Sequence, residues 1–263
     1  MRRNRTLYIL TMLTASVFSF QAALGQIKGK VKLTALPPAL PPQAVTKNSP
    51  VCGIQVLNES LLVNKKLELR NAFVFLANIA PDSLPPVETV VKITKCVFHP
   101  HVSAVLRGDY LVLESEDATL HHARGYLYRF RDGWERSVTK DIFDESGESV
   151  FNFALPAKAT TGREPLREPG LLEIRSEIGY DWMKAYVLVM PHRFFAITDA
   201  KGEFELPRVP PGQFDLVLWH ETLGVKRQLV EVAPGKKTEL LIDWEMMSPE
   251  ANEDDSSARA QKN

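Results

Sequence analysis

The chain has 263 residues, 44% of them hydrophobic and 24% charged, with 32 basic and 32 acidic side chains. Removal of a leader that contains Arg2, Arg3 and Arg5 leaves 29 basic against 32 acidic residues, a formal charge of −3. Binding to nucleic acid requires a concentrated basic surface, so this balance argues against a nucleic-acid partner. The length is enough for one large or two small domains.

The first 25 residues have the pattern of a secretory signal peptide. The three arginines precede the apolar run Leu7–Phe20, and Ala23-Leu24-Gly25 is a small-x-small cleavage site. Because the apolar run is too short to span a bilayer comfortably, we favour a signal peptide over a membrane anchor. The sequence therefore predicts a periplasmic or secreted protein with no stable membrane span after cleavage.

Short strand-like segments follow along most of the mature chain. Gln26–Leu33 alternates apolar and polar residues, and the proline-rich Leu36–Pro42 predicts an extended connector. Further strands are predicted at Ala72–Leu76, Thr89–Val97, Tyr110–Leu113, Gly125–Phe130, Val150–Leu155, Leu171–Ile174 and Ala185–Met190. Only Ala80–Leu84 and part of Ala157–Gly170 are candidates for helical turns. This pattern is typical of an all-β sandwich or barrel.

The last third of the chain predicts a compact antiparallel meander followed by a polar tail. Its strands are predicted at Phe195–Asp199, Glu203–Leu206, Gln213–Trp219, Gly224–Val232 and Lys237–Trp244. We predict a signal peptide at 1–25, an N-terminal strand and connector at 26–50, a large β domain at 51–192, a small β module at 193–245 and a disordered tail at 246–263.

The chain has two cysteines, Cys52 and Cys96. In an oxidising compartment an even pair usually forms a disulfide, which is the interpretation that we favour. The alternative is that one of them serves as a metal thiolate.

Two turn-rich motifs in the small module carry a resemblance. They are Thr198-Asp199-x-x-Gly202-x-Phe204-x-Leu206 and Val209-Pro210-Pro211-Gly212-x-Phe214-x-Leu216. They resemble the carboxypeptidase-regulatory or transthyretin-like β-sandwich module, also described as a carbohydrate-binding-like fold. The resemblance implies the fold and says little about function, because much of the motif is turn chemistry.

The large domain carries a second resemblance, in three segments. These are Cys96-Val97-Phe98-His99-Pro100-His101-Val102, Asp117-Ala118-Thr119-Leu120-His121-His122 and Trp182-Met183-x-Ala185-Tyr186-Val187. They resemble exported cupredoxin-like proteins labelled methylamine-utilisation-like or plastocyanin-like. The resemblance implies a Greek-key sandwich or barrel with a copper site, in which His121 is the first ligand and Met183, at the end of the ligand loop, stands at the thioether position.

The ligand loop departs from that family's pattern. A blue-copper centre needs two imidazoles and a thiolate, with a weak axial thioether. The thiolate position holds Ser176 and the second imidazole position holds Gly179, so His121 and Met183 alone stand where ligands are expected. We therefore predict a degenerate site without a cofactor; residual copper binding at His121 and Met183 is the alternative.

Other candidate chemistry is weaker. His99 and His101 suit hydrogen bonding near a strand end, and His121 and His122 should point to opposite faces of a strand. Catalysis by Ser176 with other histidines lacks any supporting motif. The aromatic residues could form a sugar-binding platform, but core filling is the better interpretation for Tyr180, Trp182, Tyr186, Phe195 and Trp219.

These observations predict an exported, non-catalytic binding or interaction protein on a degenerate cupredoxin scaffold, with an unknown protein or glycan partner. The alternatives are a periplasmic copper-binding or electron-transfer protein and a carbohydrate-binding accessory module.

Overall fold

The computed structural model describes residues 23–131 and 142–246. Most of the predicted signal peptide and nearly all of the predicted tail lie outside these residues. The elements of the first half are β1 (Gly25–Leu33), β2 (Gln43–Ala44), α1 (Ser49–Cys52), β3 (Gln55–Val56), β4 (Phe73–Leu76), β5 (Glu88–Thr94), β6 (Val97–His99), β7 (Val102–Leu106), β8 (Tyr110–Ser115) and β9 (His121–Arg129). Those of the second half are β10 (Glu148–Leu155), β11 (Glu164–Pro165), β12 (Gly170–Arg175), β13 (Lys184–Met190), β14 (Phe195–Ile197), β15 (Glu203–Val209), β16 (Gly212–His220), β17 (Gly224–Val232) and β18 (Lys237–Trp244).

The strands form two sandwiches. The large sandwich consists of the sheets β11-β8-β5-β6 and β10-β9-β12-β13-β7, and the small sandwich of the sheets β15-β1-β18 and β14-β4-β16-β17. Both contain parallel as well as antiparallel pairs: β5 lies parallel to β8, β13 to β7 and β1 to β18. The predicted fold class, all-β with a larger and a smaller sandwich, is confirmed.

Alternating burial along the strands builds the core of each sandwich. In β9 the residues from His121 to Leu127 are buried at every second position, as a strand with one face on a core requires. The large core includes Ile93, Phe98, Ile174 and Val187 from its two facing sheets. The small core is filled in the same way by side chains from both of its sheets.

A third apolar cluster joins the two sandwiches. Phe73, Phe75 and Val217 of the small sandwich pack with Leu188 and Met190 of the large one. We call this third cluster the seam. The strand β4 contributes to both clusters, since Val74 and Leu76 face the small core while Phe73 and Phe75 face the seam. All four of these side chains are buried, which explains the unbroken apolar run in the sequence.

Two strands from early in the chain complete the small sandwich. β1 lies between β15 and β18, and β4 lies between β14 and β16. The module predicted at 193–245 is thus extended in space by strands from the regions 26–50 and 51–192. Gly29 permits this insertion, because a Cβ there would lie 2.2 Å from the ring of Phe204.

Several sequence predictions are corrected. The helical turns proposed at Ala80–Leu84 and within Ala157–Gly170 are wrong, because neither segment is helical; Pro81 lies in the first, and Pro165 and Pro169 lie in the second. The predicted meander is also wrong: of its strands only β16 and β17 form a hairpin, since β15 and β18 pair with β1 instead. The strand β7 was missed, and Thr89–Val97 is a hairpin and not one strand.

A search of the described residues for a helix long and apolar enough to cross a bilayer finds none.

Candidate functional site

The hairpin between β5 and β6 turns on two residues with a left-handed backbone. Thr94 pairs with Val97, so Lys95 and Cys96 form a two-residue loop, with φ angles of 51° and 59°. Two-residue hairpin loops of this kind favour Asn-Gly, because a side chain in the left-handed region costs about 1–2 kcal/mol per residue. Neither residue is a glycine, so other contacts must hold this turn.

The Asp117 carboxylate supplies those contacts. Its Oδ1 accepts the Lys95 N–H at 2.7 Å, and its Oδ2 accepts the Cys96 N–H at 2.8 Å. The same Oδ2 lies 2.8 Å from Nε2 of His121, which is completely buried. Because a carboxylate only accepts, Nε2 of His121 carries the proton. Hydrogen bonds to a charged group contribute about 1.5–3 kcal/mol each, enough to offset the strain of the turn.

The predicted disulfide is confirmed. Cys96 is bonded to Cys52 of α1, and no cysteine of the chain is free. Both cysteines are buried within the large core, so the bond fastens α1, together with the short strands β2 and β3 that flank it, to the β5–β6 turn. Cys96 is therefore unable to act as a metal thiolate while the bond is intact.

Replacement of Lys95 by glycine should stabilise the protein. We expect Lys95→Gly to raise the free energy of unfolding by about 1 kcal/mol, because the strain of a left-handed side chain disappears while glycine adds flexibility to the unfolded chain. Urea unfolding of the oxidised protein measures the change. Lys92→Gly, in the same hairpin but in ordinary strand backbone, is the matched control and should lower stability. A destabilised Lys95→Gly would contradict this account of the turn.

The segment from Ser176 to Met183 closes over the same region. It joins β12 to β13, and the Ser176 N–H donates to the Met183 carbonyl at 3.2 Å. The Tyr180 ring lies 5.8 Å from the His121 ring, between centroids, and Trp182 donates its Nε1–H to the Cys96 carbonyl at 2.9 Å. Aromatic side chains of this loop thus pack against the imidazole and the disulfide.

The positions predicted to be degenerate offer poor ligands. The Ser176 hydroxyl is buried, without a hydrogen-bond partner in the described part of the chain. Gly179 has φ of +85°, and a Cβ there would lie 2.2 Å from Nζ of Lys47, which donates to the Ile178 carbonyl. The space of the second imidazole is therefore crossed by a lysine.

The remaining ligand candidates lie deep in the core. Met183 is completely buried among apolar residues, and Nδ1 of His121 is buried without a partner among the described residues. One imidazole and one thioether do not make up the ligand set of a blue-copper centre, so these residues do not fit that group.

A second polar cluster lies at the seam between the sandwiches. Nε2 of His101, just before β7, contacts the Glu221 carboxylate of the β16–β17 turn, and its Nδ1 lies 3.1 Å from the Lys184 carbonyl. Both partners only accept, so both nitrogens must carry protons. Burial alone would lower the pKa of His101, but the hydrogen bond and charge of Glu221 raise it above its ordinary value. Burial and Glu221 also raise the pKa of Tyr186, whose ring lies edge-on to His101.

This pair should stabilise the seam in a pH-dependent way. A raised folded-state pKa means that the contribution is fully present below the unfolded pKa of about 6.5 and is lost as pH rises through the folded value. We expect Glu221→Gln to lower the free energy of unfolding by about 2 kcal/mol at about pH 6 and by much less at about pH 9. Urea unfolding at both pH values measures this, with exposed Glu239→Gln as control. An equal effect at both would contradict it.

The other histidines are placed as structural or surface groups. His121 faces the large core and His122 faces the opposite side of β9, as predicted, while His99 is exposed. His192 and His220 are buried, and burial lowers the pKa of each to about 4. Their Nδ1 atoms accept backbone N–H groups two residues ahead, so they act as turn caps.

Of the five aromatic residues considered as a sugar platform, Tyr180 is buried and the other four are half-buried. Trp219, Tyr186 and Phe195 pack against the seam cluster, where Trp219 stacks on Phe73 at 5.6 Å between ring centroids. Tyr180 belongs to the large core, and Trp182 packs against it. Core filling therefore describes Tyr180 fully and the four half-buried residues in part.

Sequence reasoning missed the central role of Asp117 and the parts played by Lys47 and Glu221. Asp117 stands four residues before His121, a spacing that permits the contact. The left-handed turn that requires the carboxylate has no sequence signal, because neither of its residues is a glycine or an asparagine.

Comparison with known proteins gives partial likenesses. Residues 179–240 match the family model described as Polysaccharide lyase family 4, domain II, and comparison with curated proteins finds no match. Among solved structures, an amicyanin variant in its reduced Cu(I) form is 13% identical, with 44% of this chain and 98% of that chain covered and a TM-score of 0.29. The copper-containing nitrite reductase NirK from Thermus scotoductus SA-01 is 15% identical, with 44% and 25% covered and a TM-score of 0.29. Likenesses this slight carry no argument, so the chain's own residues must decide its function.

Proposed function

We propose that the chain is an exported, non-catalytic binding or interaction protein, in which His121, the first ligand that the resemblance implies, is held by a buried carboxylate beside a disulfide. One observation carries the proposal: Asp117 holds both His121 and the Cys96 turn, with Cys96 already bonded to Cys52. Copper binding at His121 would require the loss of a buried, charge-assisted hydrogen bond. The oxidised chain has no thiolate whose bond to copper could offset that loss.

The same contacts argue against electron transfer. A blue-copper centre depends on strong bonds from a thiolate and two imidazoles. A serine hydroxyl is a hard donor that keeps its proton, and Gly179 has no side chain. Met183 alone would be a weak axial ligand. The two surviving groups therefore hold copper too weakly to keep it through redox cycles.

Burial supports a non-catalytic role. Ser176 is 7% exposed and His121 is completely buried, beneath the rings of the 176–183 loop. A nucleophile and a base must reach substrate, and these do not. Binding is then left to the exposed parts of the scaffold, such as the face of β9 and β12 where the guanidinium of Arg175 lies 4.1 Å from the centre of the Tyr126 ring.

Copper titration tests the proposal. The oxidised protein is titrated with Cu(II), and the visible spectrum and the bound copper per chain are measured beside His121→Ala. We expect no intense thiolate-to-copper band near roughly 600 nm, and no bound copper that distinguishes the two proteins. An intense band, or one tightly bound copper that His121→Ala abolishes, would overturn it.

Carbohydrate binding is the second candidate, favoured by the family match over residues 179–240. That match concerns one domain of a polysaccharide lyase family, and a shared domain alone is a weak guide to function. Screening the folded chain against immobilised polysaccharides and glycans tests it. Saturable binding would support this candidate, and silence across the screen would remove it.

A further inference from the structure

We propose that reduction of the Cys52–Cys96 disulfide creates a binding site for a zinc-type divalent cation, with Cys52, Cys96, Asp117 and His121 as its four ligands. This site differs from the copper position that the resemblance implies, because it uses neither Ser176, Gly179 nor Met183. It is also independent of the proposed binding function.

The ligands are already gathered. The donor atoms of Cys96, Asp117 and His121 lie within 4.8 Å of one another, and all three residues are buried. Cys52 brings a second sulfur to the same place, since it is bonded to Cys96. Thiolate sulfur, imidazole nitrogen and carboxylate oxygen are all zinc ligands, with bonds of about 2.3 Å to sulfur and about 2.0–2.2 Å to nitrogen and oxygen, and four of them complete a tetrahedral site.

The surroundings suit a metal once the sulfurs separate. Asp117 can offer Oδ2 to the cation while Oδ1 keeps the Lys95 N–H, so the hairpin turn retains support. The imidazole of His121 has one nitrogen on Asp117 and the other, Nδ1, buried without a partner among the described residues. A cation between the imidazole and the carboxylate would replace their hydrogen bond with two stronger contacts to a positive charge.

The chemistry balances with a dithiol reductant. The dithiol gives two electrons and two protons to the protein disulfide, leaving two protein thiols and an oxidised, disulfide-bonded reductant. Binding of the dication then displaces the two thiol protons to solvent, moves the proton of His121 from Nε2 to Nδ1, and leaves two metal-bound thiolates. Thiol–disulfide exchange with the oxidised, disulfide-bonded reductant reverses both steps and releases the cation.

Access to the disulfide comes through α1. This helix has only four residues, and its N-cap residue Asn48 makes no side-chain capping bond. Gly53 and Ile54, directly after it, are exposed. Cys52 is the buried residue of α1, so opening this short element exposes the bond to a reductant without disturbing the sheets.

Cobalt titration tests the site. The full mature chain is reduced under anaerobic conditions, freed of reductant and titrated with Co(II), whose absorption reports thiolate ligation and tetrahedral geometry; zinc is then added to displace it. We expect one cobalt per reduced chain, with both spectral signatures, and none per oxidised chain. His121→Ala and Asp117→Ala should each weaken binding at least tenfold. His99→Ala, an exposed histidine three residues from Cys96, should bind as the wild type does.

Circular dichroism recorded during the titration covers the case in which the reduced chain unfolds. The cation should then restore the β spectrum while it binds, because binding and folding are coupled. The proposal is overturned if the reduced chain binds no better than a Cys52→Ser/Cys96→Ser variant. It is also overturned if His121→Ala and Asp117→Ala bind as tightly as the wild type, since two loose thiols would then explain the binding.

Discussion

Loss of the disulfide should cost the protein roughly 4 kcal/mol of its free energy of unfolding. The two cysteines are 44 residues apart in sequence. In the chain-entropy model, closing a loop of this length lowers the conformational entropy of the unfolded chain, which raises its free energy by roughly 4 kcal/mol. The double variant Cys52→Ser/Cys96→Ser also places two hydroxyls in an apolar core, which adds to the loss. Few single features of a domain this size have so large an effect.

Urea unfolding of the oxidised wild type and of the double variant measures this effect. A dithiol reductant should shift the midpoint of the wild type towards that of the variant and leave the variant unchanged, which controls for effects of the reductant elsewhere. If the two proteins unfold at the same urea concentration, the disulfide has no part in holding α1 and the β5–β6 turn.

Acid should destabilise the protein well before its carboxylates are protonated. His192 and His220 are 0% and 1% exposed, and burial lowers the pKa of each to about 4. The unfolded chain takes up a proton on each at a pKa of about 6.5. A depressed folded-state pKa means that stability is fully present above the unfolded value and is lost as pH falls from about 6.5 to about 4. Each histidine contributes about 3 kcal/mol to this loss.

The pH dependence of the urea midpoint between about pH 7 and pH 4 tests this expectation. His220→Gln cannot take up a proton, so its stability should fall less steeply than that of the wild type over the same range, even if it is less stable throughout. His122→Gln, on the outer face of β9, should keep the wild-type slope. Equal slopes in all three proteins would show that the buried histidines do not set the acid response.

The strands could be predicted because alternation and turn residues are local signals. Gly224–Val232 and Lys237–Trp244 were predicted with the bounds that the structure has. The partners of the strands could not be predicted. β1 inserts between β15 and β18, across nearly the whole length of the chain, and such pairing depends on tertiary packing, which no local pattern carries.

The candidate site, too, has features that the sequence shows locally and features that depend on long-range contacts. The missing thiolate and imidazole are visible in the sequence as Ser176 and Gly179. The side chain that occupies their place is not visible in the sequence, because Lys47, which lies beside Gly179, comes from a segment over a hundred residues earlier. The turn at Lys95 and Cys96 was read as continuous strand, since it depends on a carboxylate from a different loop and on a disulfide. Long-range contacts overrode the local preference of these residues.

We propose that His121 is a structural partner of Asp117 and not a copper ligand, and the protonation of its two ring nitrogens tests this most directly. Long-range 1H–15N NMR of the oxidised protein should show His121 with its proton on Nε2, and its signals should persist when one equivalent of Cu(II) is added. The account is contradicted if one equivalent of Cu(II) selectively broadens the ring signals of His121 beyond detection, because that would place a paramagnetic ion at the imidazole.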